Sequence, residues 1–304
     1  MKITVVGIGK VGSTVAFVLA KDGLAQELVL YNRTRDRARA DAIDVQQAVA
    51  FVPHRVDVRD GDLDTTAGSD VIVLCVGVHM PAECTDRTTV AEGNTRLIRD
   101  LVPPLLERSP NAIIVNVTNP MDAITHHLLT LTGLPWQRVI GTGTLIDSAR
   151  FRELLGEQLG IHPVDLNAYI LGEHGDSQFA ALSVARCGGE PIDATPSRQK
   201  MIDLAKQSAW DVYRVKGYTN YAVAMAAHMI VEAIVKDLRT TMPVSVKIDG
   251  YCGVTGVCLS VPCVIGRQGV HLRLQPALDE REQGLFRASA EVVRGVIERT
   301  KGML

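Results

Sequence analysis

The sequence predicts an α/β protein, with a doubly wound parallel sheet in its first half and a smaller α+β unit in its second half. In the first half, short β-branched apolar runs alternate with amphipathic helical patterns, which is typical of βαβ units. These runs are continuously apolar, as expected for parallel strands buried on both faces. After Gly141 the alternation stops. We therefore expect two domains, one over 1–141 and one over 142–304.

Each predicted strand is a run rich in Val, Ile and Leu, and each predicted helix repeats apolar residues every three or four positions. In the first half these patterns predict strands at 3–6, 28–31, 71–76 and 113–117, and helices at 11–21, 35–49 and 96–106. In the second half they predict helices at 147–159, 199–213, 221–238 and 279–300, and strands at 166–171, 244–248, 257–265 and 270–274. Ligands bind at the carboxyl edge of such parallel sheets, so we expect site residues directly after the strands.

The composition excludes several classes of protein. With 304 residues, 46% hydrophobic and 22% charged, the chain is neither disordered nor fibrous. A net charge of −2 gives no electrostatic reason to expect nucleic acid or an anionic membrane as a partner. The sequence lacks a secretory signal and an apolar run of membrane-spanning length, and its six cysteines lack metal-binding spacing. We expect a cytoplasmic protein with reduced thiols, no metal and a small-molecule partner.

Three glycines, Gly7, Gly9 and Gly12, form a G-x-G-x-x-G sequence between the first predicted strand and the first predicted helix. Gly7 would make the tight turn, Gly9 would let the backbone approach a pyrophosphate, and Gly12 would let helix and strand pack closely. The helix begins near Lys10 and Val11, and its free N–H groups would bind the phosphates. This context favours a Rossmann-type dinucleotide site over a glycine turn without a ligand.

The residue after the second predicted strand discriminates between the two nicotinamide dinucleotides. NAD sites usually have a carboxylate there, which accepts the adenosine ribose hydroxyls and would repel a 2′-phosphate. This sequence has Asn32, followed by the cations Arg33 and Arg35. These residues favour NADP(H). In the alternative interpretation both arginines belong to a solvated helix start, and NAD(H) binds.

A histidine lies between glycines in the segment 172–177 (G-E-H-G-D-S), after an apolar strand. His174 can take up and release a proton near neutral pH, and a carboxylate beside it would hold its tautomer. Asp147 is the candidate carboxylate. It precedes Arg150 by three residues on a predicted helix, so the two share a face. Spacing alone would make this pair an ordinary surface ion pair.

Taken together, the motifs resemble those of the L-lactate and malate dehydrogenases along essentially the whole chain. They are the glycine turn, the segment 119–122 (N-P-M-D), the segment 141–150 (G-T-G-T-L-I-D-S-A-R) and the histidine segment. The resemblance implies a hydride transfer between a nicotinamide dinucleotide and C2 of a 2-hydroxy acid. It implies that 1–141 is the dinucleotide-binding domain and that 142–304 is the catalytic, substrate-binding domain. It also implies that Asn119 lies near the nicotinamide and the reacting oxygen, that Arg150 clamps the substrate carboxylate, and that Asp147 orients His174. Family members are dimers or tetramers, so we expect a homo-oligomer. The residues expected at the cofactor are Gly7, Gly9, Lys10, Val11, Gly12, Asn32, Arg33, Arg35, Gly77, Asn94 and Asn119.

The resemblance further assigns a loop that closes over the substrate. Its catalytic arginine matches Arg87, seven residues before the helix residue Asn94, although an exposed loop arginine is the alternative. The loop position that selects the substrate is Pro81, which offers no cation for a second carboxylate, so malate is disfavoured. His79 could supply that charge if protonated. Glu83 leaves room for a substrate with a cationic tail, although a solvated loop glutamate is the simpler interpretation.

Three further segments are most similar to the L-2-hydroxyisocaproate dehydrogenase branch of the family, which acts on longer apolar 2-keto acids. They are 171–179 (L-G-E-H-G-D-S-Q-F), 216–224 (K-G-Y-T-N-Y-A-V-A) and 259–270 (L-S-V-P-C-V-I-G-R-Q-G-V). By this resemblance Thr219 and Val223 line the substrate pocket. We expect a dehydrogenase of L-2-hydroxy or 2-keto monocarboxylic acids. The alternatives are a malate dehydrogenase with an atypical loop and a dinucleotide sensor without catalysis. The branch is NAD-dependent, which disagrees with the local residues at Asn32 and Arg33.

Overall fold

The computed structural model of the chain describes residues 1–78 and 90–304. Within these ranges the α-helices are α1 (Lys10–Lys21), α2 (Arg35–Val49), α3 (Ala91–Arg108), α4 (Met121–Thr132), α5 (Leu145–Leu159), α6 (Pro196–Lys216), α7 (Tyr221–Lys236) and α8 (Glu280–Thr300). The strands of the first half are β1 (Lys2–Val6), β2 (Glu27–Tyr31), β3 (Asp57–Gly61), β4 (Val71–Leu74), β5 (Ile113–Asn116) and β6 (Val139–Gly141). Those of the second half are β7 (Leu166–Asn167), β8 (Ile170–Leu171), β9 (Phe179–Ala180), β10 (Arg186–Cys187), β11 (Glu190–Pro191), β12 (Thr240–Asp249), β13 (Thr255–Gly266) and β14 (Gly269–Arg273).

Nine of the described strands build one sheet in the order β14-β13-β12-β6-β5-β4-β1-β2-β3, and the others form two small sheets, β11-β10-β7 and β8-β9. The six strands β1 to β6 are parallel, which confirms the predicted doubly wound sheet. The strand order reverses between β1 and β4, and a crevice opens at the carboxyl ends of strands at such a point. The fold therefore places a ligand site after Val6 and Leu74.

Helices cover both faces of the parallel sheet because both faces of its strands are apolar. Along β4, Val71 and Val73 belong to the core beneath α1 and α2, whereas Ile72 and Leu74 belong to the core beneath α3 and α4. This division follows from the alternation of side chains along a strand. The continuously apolar strand sequences thus reflect burial on two sides.

The second half extends the same sheet with antiparallel strands, as an α+β unit. Strand β12 pairs with β6 through Ser245 and Gly141, and β13 and β14 follow as antiparallel neighbours. A Cβ atom at Gly141 would lie 2.5 Å from Thr125 Oγ1 and 2.9 Å from Ser245 Cβ. The two halves of the chain therefore meet at a position where only glycine fits.

Some elements differ from the sequence prediction. The predicted strand 166–171 is two short strands, because β7 pairs with β10 whereas β8 pairs with β9 in a separate sheet. Helix α4 and five strands, β3, β6, β9, β10 and β11, were not predicted. No helix in the described ranges is both long enough and apolar enough to cross a membrane.

Candidate active site

A cleft of about 470 Å³ lies at the carboxyl ends of the parallel strands, where the topology places a ligand site. It brings together residues that are far apart in the sequence. Those expected from sequence are Gly9, Lys10, Val11, Gly77, Asn94, Asn119, Arg150, His174, Thr219 and Val223. Those that sequence analysis missed include Ile146, Trp210, Tyr213 and Tyr218. The three aromatic residues lie on or directly after α6, whose pattern indicated a helix but not which face would line a site.

The glycine turn has the geometry that close approach to a phosphate requires. Gly7 has φ +91°, a backbone conformation that favours glycine. A Cβ atom at Gly12 would lie 2.1 Å from the Gly7 carbonyl oxygen, so Gly12 allows α1 to pack against the turn. A Cβ atom at Gly9 would meet no atom within 4 Å. The space beside Gly9 is open, and the residues here fit a bound dinucleotide.

Asn32 braces the glycine turn from the end of β2. Its Oδ1 accepts a hydrogen bond from the Ile8 backbone N–H at 3.1 Å, and its Nδ2 donates to the Thr34 carbonyl at 3.0 Å. Arg33 beside it is exposed. Arg35 is also exposed, and its Nε lies 2.9 Å from Asp60 Oδ2. The position that carries a carboxylate in many NAD sites is therefore neutral, and one of the two nearby arginines is paired with an acid.

Two asparagines connect the strand ends above the cleft. Asn94 Oδ1 accepts from the Val78 N–H at 2.7 Å, and Asn94 Nδ2 donates to the Asn119 carbonyl at 2.6 Å. The side-chain oxygen of Asn119 is buried and has no hydrogen-bond partner among the described residues. A buried acceptor without a partner is costly, so a ligand that donates a hydrogen bond would stabilise it. A carboxamide or hydroxyl group meets this requirement.

The histidine, the aspartate and the arginine predicted to form the centre of the site lie together. His174 Nδ1 is 2.6 Å from Asp147 Oδ2, and Arg150 Nη1 is 3.2 Å from Asp147 Oδ1. The side chains of His174, Asp147 and Arg150 are only 9%, 4% and 15% exposed. The pair of Asp147 and Arg150 is thus buried beside the cleft, unlike the surface ion pair that spacing alone would predict. His174 uses its ring nitrogen Nδ1 for the contact with Asp147, and its other ring nitrogen is Nε2.

A second buried carboxylate, which sequence analysis did not assign, holds the backbone of the histidine. Asp122 Oδ2 accepts from the His174 backbone N–H at 2.7 Å, and Asp122 Oδ1 accepts from Ser245 Oγ at 2.6 Å. Burial raises the pKa of Asp122 to about 7, against the opposing effect of these two hydrogen bonds. Asp122 is the last residue of the N-P-M-D motif. Its charge among the neighbouring apolar residues Met121 and Ala123 is the sequence feature that could have identified it.

The turn before the histidine is also tightly fitted. Gly172 has φ +90°, and a Cβ atom there would lie 2.5 Å from Ser289 Oγ on α8. Gly172 exchanges backbone hydrogen bonds with Ser260 of β13, at 2.9 and 3.2 Å. The strand, the helix and the turn together fix where His174 is presented.

Several predicted residues fall outside the described ranges. The catalytic candidate Arg87 is one of them, as are His79, Pro81 and Glu83 of the same loop. Within residues 1–78 and 90–304, no group of three His, Cys, Asp or Glu side chains is placed to hold a metal ion.

Comparison with known proteins identifies the family. Residues 1–141 match the model of the lactate/malate dehydrogenase NAD binding domain, and residues 144–303 match that of the lactate/malate dehydrogenase alpha/beta C-terminal domain. An L-lactate dehydrogenase of Thermoanaerobacter pseudethanolicus is 39% identical, with 98% of each chain covered. One from Clostridium perfringens is 35% identical, with 97% of this chain and 96% of the relative covered.

A solved structure shares the whole fold. The crystal structure of the minor L-lactate dehydrogenase from Enterococcus mundtii, in a ligand-bound form, superposes with a TM-score of 0.92. It is 29% identical, and 98% of each chain is covered. The chain therefore belongs to the lactate/malate dehydrogenase family of 2-hydroxy acid oxidoreductases that use a nicotinamide dinucleotide.

Proposed function

We propose that the protein interconverts L-2-hydroxy and 2-keto monocarboxylic acids with an apolar side chain, as in the L-2-hydroxyisocaproate dehydrogenase branch. The observation that carries the proposal is the buried cluster of His174, Asp147 and Arg150, which opens onto the same cleft as the glycine turn. A proton donor, a carboxylate clamp and a dinucleotide turn on one cleft are what this reaction requires. The names of the relatives agree with this reaction class.

The cofactor would be held mainly by residues 1–141, and residues 142–304 would supply the acid–base group. The open space at Gly9 suits the pyrophosphate, and the unpartnered Oδ1 of Asn119 suits the nicotinamide carboxamide or the reacting oxygen. Lys10 and Val11 lie at the start of α1, which orients its N–H groups towards an anion. When bound, the reduced nicotinamide supplies the hydride.

In the direction of reduction, His174 donates a proton from Nε2 to the substrate carbonyl oxygen, and it takes the proton back in oxidation. Asp147 fixes the tautomer of the ring and stabilises the imidazolium. Arg150 binds the substrate carboxylate, since a planar guanidinium presents N–H donors that match the two carboxylate oxygens, and Asp147 orients it. Arg87 is proposed, from the family resemblance, to stabilise the developing alkoxide.

The substrate side chain would lie against Thr219, Val223 and Ile146, which line the cleft near Arg150. None of these three residues carries a positive charge that would neutralise a second carboxylate. Together with Pro81 at the position that selects the substrate, they favour an apolar monocarboxylic acid over malate.

Initial rates with 2-ketoisocaproate and oxaloacetate, each with NADPH and with NADH, test this proposal. We expect kcat/KM for 2-ketoisocaproate to exceed that for oxaloacetate by about tenfold or more, because an unpaired buried carboxylate is costly. The opposite preference would identify a malate dehydrogenase with an atypical loop. Cofactor binding without turnover of either acid would favour a dinucleotide sensor.

For the cofactor, we propose a preference for NADP(H), with NAD(H) as the alternative. The neutral side chain of Asn32 and the exposed guanidinium of Arg33 support this preference. Arg35 could bind the 2′-phosphate only if its ion pair with Asp60 were broken. The substitution Arg33→Ala should lower kcat/KM for NADPH by about tenfold, because only NADPH carries the 2′-phosphate. It should leave kcat/KM for NADH unchanged. Arg37→Ala, at an exposed position of α2, is the control. An equal loss with both cofactors, or none, would contradict this assignment.

The protein is also proposed to be a cytoplasmic homodimer or homotetramer. Side chains of α7 and α1 leave an exposed apolar surface at Tyr221, Met225, Met229 and Phe17, which we name the α7 surface. Exposed apolar residues grouped in this way are typical of a contact between subunits. The cysteines in the described part of the chain are unpaired, in keeping with reduced thiols.

A further inference from the structure

A second cavity, of about 740 Å³, lies at the amino ends of the parallel strands β5 and β6. His174 lines the cleft at the carboxyl ends of the sheet. The second cavity is lined by Ile113 at the start of β5, by Arg138 just before β6, by the turn after α7 and by the hairpin between β13 and β14. The dinucleotide cleft lies at the carboxyl ends of the same parallel strands. The two cavities are therefore separated by the length of the strands, and a ligand in one does not reach the other.

The charged groups that line this cavity are mainly cationic. Arg138, Arg239, Arg267 and His271 contribute basic side chains, and Asp237 is the one carboxylate among the described lining residues. The three arginines come from different parts of the fold, so the cavity combines charges that are distant in the sequence. A concave surface with excess positive charge attracts anions.

Two of these arginines are anchored by neutral partners. Arg138 Nη1 donates to the Pro110 carbonyl at 3.3 Å, and Arg267 Nη2 donates to the Val235 carbonyl at 3.2 Å. A backbone carbonyl orients a guanidinium without neutralising its charge. These contacts reduce the loss of side-chain entropy on binding while the positive charge remains.

The third arginine lies on an unusual turn after α7. Asp237 and Arg239 both have φ +51°, which costs energy in residues other than glycine. The turn is held because Asp237 Oδ1 accepts from the Arg267 backbone N–H at 2.8 Å, while Asp237 Oδ2 lies 3.6 Å from Arg239 Nε. The single carboxylate is thus used to connect the turn to the hairpin.

We propose that this cavity binds a small anion carrying two or more phosphate groups. Arginine presents planar N–H donors that match phosphate oxygens, and three guanidinium groups around one cavity suit a multiply charged anion. The site lies apart from the glycine turn and does not depend on the identity of the keto acid.

Isothermal titration of inorganic pyrophosphate into the protein tests this proposal. The protein is saturated with reduced cofactor, so that the glycine turn is filled, and ionic strength is held constant with sodium chloride because surface charges are screened by salt. The variant combines Arg239→Gln with Arg267→Gln. The control combines Arg214→Gln with Arg281→Gln, which removes the same charge from exposed positions of α6 and α8.

We expect pyrophosphate to bind the unaltered protein and the control with similar Kd, and the cavity variant at least about tenfold more weakly. Thermal unfolding of each protein without pyrophosphate checks that the variants are folded. Three results would overturn the proposal: no binding to the unaltered protein up to about 5 mM, equal binding to the cavity variant, or an equal loss in the control.

Discussion

At the scale of single residues, Asp147 uses both oxygens of its carboxylate. One oxygen contacts the ring of His174, and the other contacts the guanidinium of Arg150. The proposed proton donor and the proposed substrate clamp are therefore positioned by one buried group. An asparagine at position 147 would direct the N–H donors of its amide at His174 or at Arg150, and both of these contacts need an acceptor.

We expect Asp147→Asn to lower kcat by about 10²- to 10⁴-fold, because the tautomer of His174 is lost and its imidazolium is no longer stabilised. Steady-state rates with saturating cofactor and keto acid measure this loss. Asp211→Asn is a matched control, since Asp211 pairs with Arg214 at the same spacing on the exposed surface of α6. Equal activity of the two variants would show that Asp147 has only a structural role.

The buried Asp122 should make stability depend on pH. Its pKa is raised from 3.8 to about 7, so below about pH 4 it is protonated in both the folded and the unfolded chain. Between about pH 4 and pH 7 the unfolded chain releases this proton while the folded protein keeps it, and stability falls as pH rises. Asp122→Asn mimics the protonated form. In this variant the free energy of unfolding should not show the decrease of up to about 4 kcal/mol that Asp122 causes between about pH 4 and about pH 7.

Denaturant unfolding of Asp122→Asn and of the unaltered protein, at several pH values from about 4 to about 8, measures the difference. The stability of the variant relative to the unaltered protein should increase with pH. Parallel curves would show that Asp122 titrates in the ordinary range of a carboxyl group.

The sequence predicted which residues lie at the cleft better than it predicted their contacts. The glycines beside His174 indicated a presented imidazole, and the structure lines the cleft with it. The spacing of Asp147 and Arg150 did not distinguish a site from a surface ion pair, because burial depends on other elements. The hydrogen bond from His174 to Asp122 joins residues 52 positions apart, so no local pattern could indicate it.

At the scale of elements, two glycines of the glycine turn have different roles. Gly12 is required for packing, and Gly9 is proposed to be required for cofactor binding. A Cβ atom at Gly12 would meet the backbone of Gly7, whereas one at Gly9 would enter open space. We expect Gly12→Ala to lower the free energy of unfolding by about 1–3 kcal/mol, because backbone cannot move aside cheaply. Gly9→Ala should change it by less than about 0.5 kcal/mol, yet weaken cofactor binding about tenfold or more, since the methyl group occupies the path of the pyrophosphate.

Denaturant unfolding and fluorescence titration with NADPH and NADH measure the two effects separately. If Gly9→Ala binds cofactor normally, the phosphate does not approach this turn. The two alanine variants serve as controls for each other, because both add one methyl group to the same turn.

Elements with a clear period were predicted, and elements whose pattern was ambiguous were not. Strand β3 reads D-V-R-D-G, in which polar residues dominate because it is the edge of the sheet. Helix α4 has most of its residues buried, polar ones such as Thr125 and His127 included, so its sequence does not separate into an apolar and a polar face. Strand β6 has three residues. In each case the neighbours in space determine the element.

At the scale of the whole molecule, the α7 surface predicts association between copies of the chain. Light scattering should give a mass of two or four times 32.9 kDa. Met225→Glu should reduce it towards one copy, because an interface would bury the new carboxylate without a partner. Val215→Glu, at a fully exposed position of α6, is the control and should leave the mass unchanged. A single-copy mass for the unaltered protein would contradict the proposed oligomer.

The doubly wound sheet was predicted, but its extension into the second half of the chain was not. The strand patterns at 244–248, 257–265 and 270–274 indicated strands without indicating their partners. Pairing between β6 and β12 connects residues about 100 positions apart, and sequence periodicity carries no information about such pairs.

The junction of Gly141 and Ser245 has a consequence for protein engineering. Exchanging residues 1–141 with those of a relative, to change cofactor preference, would replace one side of a shared sheet. The incoming segment must end in glycine, because a Cβ atom there would collide with Thr125 Oγ1 and Ser245 Cβ. It must also carry a helix that fits beneath β12 and β13. Chimeras cut at this point should thus succeed only between relatives that keep this glycine and the helix before it, however similar their cofactor turns are.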